Sequence, residues 1–231
     1  MGHTGKSSGD IQRSSEKTTK YSDVDNRKTP MSEEDARQVT EIMPYFQSSN
    51  SFTINRILRE MDDDATLESA FTGWWERNLK TVEAMDRNML PLNKDIQVAR
   101  MAADEFYENM MRGGGFSERD IDRAKWGDQA VIDRMNAKLA GTVVTEKQFL
   151  STSWDTHKFD SAFIDRPLKV NFTAKAGTHA MFNPTKIEWD NESEMVLARG
   201  GSYKFLKFYY EDGKLQAKAE TIPQTKVRRK R

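Results

Sequence analysis

The chain has 231 residues, long enough for one well-packed domain with tails and rather short for two. Its 36 basic and 36 acidic residues give a formal net charge of zero, which excludes a global electrostatic attraction to nucleic acid or to an anionic membrane. Apolar residues make up only 36% of the chain, so we expect a substantial part of it to be unfolded. Cysteine is absent, which excludes disulfides and thiolate chemistry.

The first 30 residues contain only four apolar side chains, those of Met1, Ile11, Tyr21 and Val24. So polar a segment cannot bury enough surface to offset its ordering entropy, and we expect a disordered tail over residues 1–48, in which only residues 31–43 could form a short helix. No apolar stretch suits a secretory signal or a membrane span. We therefore expect a soluble protein without a signal peptide or a membrane partner. It would be cytoplasmic in the producing cell or delivered into a target cell by a dedicated machinery.

Helical periodicity begins near Ser51. Apolar residues recur at helical spacing in two stretches, the first with Ile54, Ile57, Leu58 and Met61 and the second with Leu67, Phe71, Trp75, Leu79 and Val82. This pattern predicts a helical lobe over about residues 51–90. The Trp74–Trp75 pair could form a ligand platform, but we expect core packing because Trp75 falls on the apolar stripe.

The next stretch of the chain mixes one strand with several helices. Residues 95–100 alternate between polar and apolar side chains, as a strand does, after a helix-breaking Leu90-Pro91. Residues 102–111 are predicted to form a helix that ends at the glycines 113–115. Ser117 has the character of a helix N-cap, and the apolar positions over residues 121–139 predict one or more further helices.

Beyond Gly141 the pattern changes to short β-rich runs separated by turn residues. The runs are predicted at residues 142–145, 149–153, 168–174, 179–182, 194–198, 203–209 and 215–219. Helices followed by strands indicate an α+β domain, which we place at residues 49–222 with its β-rich core from about residue 91. Residues 223–231 form a basic tail, which we expect to be solvated; it could bind nucleic acid, but this role is not favoured.

Three short stretches carry the residues that suggest chemistry. Ser151-Thr152-Ser153 ends one predicted strand, and alternation places the two serines on one face and the threonine on the other. Glu192-Ser193-Glu194 begins a later strand, where both carboxylates can face one cleft. Arg100 ends the first strand of the core and could hold a pyrophosphate. Each stretch alone is a weak signal, but their joint occurrence in this order is far more specific.

With these motifs the chain resembles mono-ADP-ribosyltransferases of the arginine–serine–glutamate class, which include clostridial binary-toxin enzymatic subunits and Rho-modifying exoenzymes. The resemblance runs from about Ile54 to Ile222 and is strongest over residues 143–154 and 169–205. The second of these stretches contains Lys175-Ala-Gly177-Thr178, Trp189 and Leu197-Ala-Arg199-Gly200. The resemblance implies an N-terminal helical lobe followed by two packed antiparallel sheets around a cleft. That cleft would bind NAD as co-substrate, without a metal.

The resemblance also implies a role for each motif residue. Glu194 would bind a ribose hydroxyl of NAD and stabilise the cationic charge that develops as nicotinamide leaves, which requires a nearby anion. Ser151 would orient Glu194, and Thr152 and Ser153 would support the NAD site. Glu192 would engage the acceptor as a hydrogen-bond acceptor or general base. In this family a glutamate at that position accompanies arginine acceptors, and a glutamine accompanies asparagine.

Further NAD and substrate contacts are implied outside these motifs. Arg100 would bind the NAD phosphates, although relatives often have glycine soon after this arginine and Met-Ala follows here. It is favoured over Arg112, which follows a predicted helix. Arg166 lies where relatives have a loop that contacts phosphate and nicotinamide, and an ordinary surface arginine is the alternative. Trp189 would lie at the tip of the substrate-recognition turn, and a partly buried turn aromatic is the alternative.

The expected activity is transfer of ADP-ribose from NAD to an arginine of a target protein, by a toxin or by a phage or bacterial effector. The same fold could instead modify nucleic acid or hydrolyse NAD, and a catalytically inactive binding or structural module is a further alternative. Neither a phosphate-binding Gly-Lys-Ser/Thr loop nor a GxGxxG signature is present in the sequence. The three histidines lack metal-ligand spacing.

Overall fold

The structure is a computed structural model that describes residues 33–73, 76–155, 161–182 and 193–223, with residues 35, 36, 161 and 162 described by their backbone alone. Its first part is helical. The elements are α1 (Glu33–Tyr45), a kinked turn (Phe46–Asn50), α2 (Ser51–Glu60), α3 (Leu67–Ala70) and α4 (Glu76–Asn88). Together we call them the helical lobe.

The rest of the described chain forms a β-rich core, in which three helices lie between the second and third strands. Its elements are β1 (Leu90–Pro91), β2 (Ile96–Ala102), α5 (Asp104–Gly113), α6 (Glu118–Lys125), α7 (Gln129–Leu139), β3 (Val143–Thr145), β4 (Leu150–Ser153), α8 (Ser161–Ile164), β5 (Leu168–Ala174), β6 (His179–Phe182), β7 (Glu194–Leu197), β8 (Ser202–Glu211) and β9 (Lys214–Ile222). The predicted α+β class is confirmed.

The strands form one sheet in the order β1-β6-β7-β4-β2-β5-β9-β8-β3. Neighbouring strands are antiparallel except β5 and β9, which run parallel. A single residue pair, Ala99 with Ser153, joins β2 to β4, whereas β2 and β5 pair along the whole length of both strands. The two sheets expected from the sequence are therefore joined at this narrow junction. Residues of both strands at the junction line a cleft.

Two apolar cores lie on opposite faces of the strands β4, β6 and β7. The main core includes Leu150, Met195 and Leu197 of these strands, together with side chains of helices α5–α7 and of strands β2, β5, β8 and β9. The second core, which we call the lobe core, packs the helical lobe against the other face through Phe149 and Val196. Because successive strand residues point to opposite faces, the same short strands supply side chains to both cores.

The ordered chain begins earlier than predicted from the sequence. Val39, Met43 and Phe46 are at most 1% exposed and lie in the lobe core. They occupy positions i, i+4 and i+7, which form one stripe of a helix. The expected disordered tail over residues 1–48 is therefore at odds with the structure from Glu33 onward, because a narrow apolar stripe is enough to dock an otherwise polar helix. Residues 1–32 lie outside the described residues.

Local sequence signals had their expected effect in the helices of the core. The Ser117 hydroxyl caps α6 by accepting a hydrogen bond from the Asp120 N–H, and the Asp120 carboxylate accepts one from the Ser117 N–H. The expected glycine terminates α5 at Gly113. Within the described ranges, no helix combines the length and apolar character needed to cross a membrane. Trp74–Trp75 and the basic tail from residue 224 lie outside the described residues.

Candidate active site

Three neighbouring strands bring the predicted site residues together. β7, β4 and β2 are adjacent in the sheet and carry Glu194, Ser151 and Arg100 respectively. All three side chains line one cleft of about 520 Å³, which α2 borders on the other side. This volume lies in the usual range for small-molecule sites.

Two acids line the cleft, and Glu194 is the buried one. Only 7% of its surface is accessible to solvent, whereas Glu105 lies on the exposed surface. Each oxygen of its carboxylate accepts a hydrogen bond. Oε1 accepts from the Ser151 hydroxyl at 2.5 Å, and Oε2 accepts from the Gln47 side-chain amide at 2.7 Å. Ser151 reaches Glu194 diagonally, because Ser153 is the direct partner of Glu194 in the strand register. The two donors hold the carboxylate in one orientation.

The backbone turns sharply just before Glu194. Ser193 has a φ of +49°, in the left-handed region that residues other than glycine rarely adopt. Its carbonyl accepts a hydrogen bond from the Trp154 N–H at 3.0 Å, which ties the end of β4 to the start of β7. Strained backbone of this kind persists where the surrounding structure holds it, and it is concentrated at functional sites. Glu192 and Trp189 lie outside the described residues.

The three hydroxyl residues of β4 have different surroundings. Ser151 faces Glu194, whereas Thr152 is buried and its hydroxyl donates to the Met195 carbonyl at 2.6 Å. Thr152 therefore ties β4 to β7 from the opposite face, and its hydroxyl is committed to the backbone. The Ser153 hydroxyl donates to the carbonyl of Asp155 at 2.8 Å. The alternation of faces is the one expected for a strand.

Arg100 lies near the end of β2, partly buried in the wall of the cleft. Burial lowers the pKa of its guanidinium, the negative charge of Glu146 raises that pKa, and the nearby Arg59 lowers it. An arginine nevertheless keeps its charge in proteins. Within the described part of the chain, no carboxylate lies close enough to Arg100 to form a salt bridge.

The rival arginine, Arg112, lies on the surface at the end of α5. It forms salt bridges with Glu118 at 2.7 Å and with Glu108 at 3.1 Å. The hydrogen bonds with Glu118 raise the pKa of Arg112. Of the two arginines, Arg100 is the one that borders the cleft.

Arg166 also borders the cleft, beyond the end of α8. Its guanidinium donates to the carbonyl of Met101 at 3.0 Å and lies over the Phe163 ring at 4.2 Å. Burial lowers the pKa of Arg166, and the positive charge of Arg100 lowers it further. Because the two positive charges repel each other, this part of the cleft favours the binding of an anion.

The contribution of α2 to the cleft was not predicted from the sequence. Asn55, Arg56 and Arg59 line the cleft from this helix. The Oδ1 atom of Asn55 is buried and has no hydrogen-bond partner among the described residues, while Arg59 donates to the Gln148 side-chain oxygen at 2.8 Å. The sequence did contain a signal for this contribution, which is the polar face of the helix. A helical-wheel projection of the polar positions places these three residues on one side of α2.

The cleft is strongly cationic. Among its described lining residues are two acids and four arginines: Glu105, Glu194, Arg56, Arg59, Arg100 and Arg166. Guanidinium groups match phosphate oxygens in both charge and geometry, so the arrangement suits a ligand with phosphate groups. Among the described residues, no group of three or more His, Asp or Glu side chains could hold a metal ion.

A family model for ADP-ribosyltransferase exoenzymes matches residues 17–226. The match spans most of the sequence, and the chain belongs to the ADP-ribosyltransferase exoenzyme family. The predicted family resemblance is thereby confirmed. The chemistry expected from the motif residues, transfer of ADP-ribose with NAD as co-substrate, is the chemistry of this family. A comparison with curated protein sequences gives no significant match.

Solved structures of bacterial proteins share this fold at low sequence identity. C3stau2 from S. aureus, solved with NAD, has a TM-score of 0.63 at 18% identity over 84% of this chain and 89% of its own. The C3 exoenzyme of Clostridium limosum has a TM-score of 0.60 at 19% identity over 84% and 87%. BECa, from a binary enterotoxin of C. perfringens and solved with NADH, has a TM-score of 0.58 at 20% identity over 80% and 43%.

Proposed function

We propose that this ADP-ribosyltransferase cleaves NAD and transfers the ADP-ribose to an arginine side chain of a target protein. The observation that carries the proposal is the Glu194 carboxylate, which is nearly buried, held by the Ser151 hydroxyl and placed in a cleft with four arginines. A nearly buried carboxylate in a cleft with more arginines than acids suits a ligand that has a pyrophosphate and that develops positive charge on its ribose during reaction.

Cleavage is assigned to Glu194. The bond between ribose C1′ and the nicotinamide nitrogen breaks, and its electron pair leaves with nicotinamide, which becomes neutral. Positive charge then develops on the ribosyl group, and the Glu194 carboxylate stabilises it. Because only 7% of Glu194 is exposed, water screens this interaction weakly. Ser151 keeps the carboxylate in orientation before the charge develops.

NAD binding is assigned to the cations around this carboxylate. Arg100 and Arg166 lie near each other on the core side of the cleft, and Arg56 and Arg59 lie on the opposite side, on α2. A pyrophosphate between them would relieve their mutual repulsion and accept bidentate hydrogen bonds. Thr152 supports the site indirectly, because its hydroxyl donates to the Met195 carbonyl and ties β4 to β7.

The acceptor is assigned to Glu192. As an acceptor nitrogen bonds to ribose C1′, it loses a proton to this carboxylate, so the products are ADP-ribosyl-arginine, nicotinamide and a proton. The preference for arginine rests on the resemblance, in which a glutamate two residues before the catalytic glutamate accompanies arginine acceptors. Trp189 is assigned to substrate recognition on the same ground.

The test separates the two glutamates by measuring nicotinamide release with and without agmatine, an arginine-like acceptor. Glu194→Gln keeps the shape and removes the charge, so both transfer and hydrolysis of NAD should fall by a hundredfold or more, on the order of the loss of one well-placed electrostatic group. Glu192→Gln should suppress transfer to agmatine while much of the hydrolysis remains. Glu68→Gln, on the exposed surface of α3, is the matched control and should change neither rate.

Each other outcome points to a different function. Full activity of Glu194→Gln in a folded protein would refute the proposal. Equal and complete loss of both reactions in Glu192→Gln would refute the division of labour. Nicotinamide release that agmatine does not increase would indicate an NAD glycohydrolase, and labelling of nucleic acid in place of agmatine would replace arginine as acceptor. Absence of any release by the wild type would indicate a binding module.

A further inference from the structure

The Glu194 carboxylate is held from two directions, and only one of them belongs to the sequence motifs. Ser151 comes from the adjacent strand β4, whereas Gln47 comes from the kinked turn that follows α1, 147 residues away from Glu194 in the chain. We propose that Gln47 is a positioning residue for NAD cleavage, which acts by fixing the orientation of the catalytic carboxylate. This inference rests on the role of Glu194 in the proposed function.

Packing of the two residues before Gln47 holds the turn in place. The Phe46 ring is buried and meets the Phe149 ring edge-on, with 5.7 Å between the ring centroids. The Tyr45 hydroxyl donates to the side-chain oxygen of buried Asn78 on α4 at 2.7 Å, and the Arg77 guanidinium lies over the Tyr45 ring at 4.1 Å. The turn that carries Gln47 is thus anchored to both the lobe and the strand end beside Ser151.

The two donors bind different oxygens of the Glu194 carboxylate. Ser151 donates to Oε1 and Gln47 donates to Oε2, so rotation of the carboxylate about its own axis would break both bonds. An ionised carboxylate has about four lone-pair positions, and these two bonds use two of them. Gln47 therefore contributes orientation without occupying the whole group.

This role predicts a particular kinetic signature. Removal of the Gln47 donor leaves the charge of Glu194 and the arginines of the cleft in place, so NAD should still bind. The carboxylate would then sample several orientations, and the rate of the chemical step should fall, because catalysis depends on groups that are held in place before the charge develops. The effect should appear in kcat and much less in KM for NAD.

The experiment compares two near-isosteric substitutions of Gln47 with a matched control. Gln47→Met keeps the length of the side chain and removes the donor, and Gln47→Glu places a carboxylate against the Glu194 carboxylate. The control is Gln129→Met on α7, where the amide donates to Asp133 Oδ1 at 2.8 Å on an exposed surface. Nicotinamide release would be measured over a range of NAD concentrations, together with thermal unfolding of each variant.

We expect Gln47→Met to lower kcat by about tenfold or more, the usual effect of losing a hydrogen bond to a charged group, with a smaller change in KM. Gln47→Glu should lower kcat further, and Gln129→Met should match the wild type. A folded Gln47 variant with wild-type kcat would overturn the inference, and so would a rise in kcat, which would mean that the amide obstructs Glu194. A loss of thermal stability that accounts for the whole loss of activity in both variants would also overturn it. Failure of the proposed function is distinguishable, because the wild type and Gln129→Met would then release no nicotinamide.

Discussion

At the scale of single residues, Arg100 and Arg112 differ in whether a carboxylate already neutralises their charge. Arg112 has two carboxylate partners on the surface, so it offers little unpaired charge to a ligand. Arg100 has no salt-bridge partner within the described part of the chain and lies partly buried in the cleft, beside Arg59 and Arg166. A partly buried, unpaired cation interacts more strongly with an incoming phosphate than an exposed and paired one does.

This difference predicts opposite results for two alanine substitutions. Arg100→Ala should raise KM for NAD by roughly tenfold or more, the effect expected for the loss of a charge-assisted contact, and leave the circular dichroism spectrum unchanged. Arg112→Ala should leave KM unchanged, because its surface ion pairs contribute little. A raised KM in Arg112→Ala with a normal KM in Arg100→Ala would mean that the wrong arginine was assigned.

At the scale of whole elements, a nearly buried ion pair connects strand β7 to helix α4. Arg199 follows β7, and its guanidinium donates to both carboxylate oxygens of Asp86 on α4, with the Nη2–Oδ2 distance at 2.6 Å. Both side chains are only 12% exposed. The helical lobe therefore holds strand β7 near both ends, through Gln47 at Glu194 and through Asp86 at Arg199.

Breaking this pair should destabilise the fold. Asp86→Ala leaves the Arg199 guanidinium nearly buried without its carboxylate, and we expect the free energy of unfolding to fall by about 3 kcal/mol. The measurement is the urea unfolding midpoint. The matched control is Glu76→Ala in the same helix, where the ion pair with Lys80 is exposed, and the midpoint should not change. Equal midpoints for the two variants would show that the buried pair does not couple the elements.

At the scale of the whole molecule, α1 connects the N-terminal part of the described chain to the candidate site. Val39 and Met43 contribute fully buried side chains to the lobe core, and the turn that follows them carries Gln47 to the Glu194 carboxylate. The proposed role of Gln47 would make the helical lobe part of the catalytic unit. We therefore expect that the chain can be shortened only to a point before Glu33, rather than to near Ser51.

Two truncations test this boundary. Deletion of residues 1–32, a segment with few apolar side chains before Met31, should leave nicotinamide release and the melting temperature unchanged. Deletion of residues 1–44 removes Val39 and Met43, and each buried side chain of this size contributes about 1 to 5 kcal/mol, a large part of a total stability of about 5–15 kcal/mol. We expect this shorter chain to lose cooperative melting and activity. Normal melting after the longer deletion would show that α1 is dispensable.

The sequence by itself determined those features that depend on neighbouring residues. Alternation along β4 predicted that Thr152 would face away from Ser151, because successive residues of any strand point to opposite faces. The cap of α6 at Ser117 followed from the same kind of short-range rule. The motif residues around Ser151 and Glu194 also identified the family, since their order in the chain is visible without a fold.

Only the tertiary structure decided which distant residues meet. Gln47 and Asp86 lie 147 and 113 residues from their partners, and no periodicity relates them to Glu194 or Arg199. The packing of α1 into the lobe core was not predicted, because overall composition hides a stripe of three apolar residues. The physical reason is that backbone geometry sets local pattern, whereas contacts between distant side chains depend on how all the elements pack together.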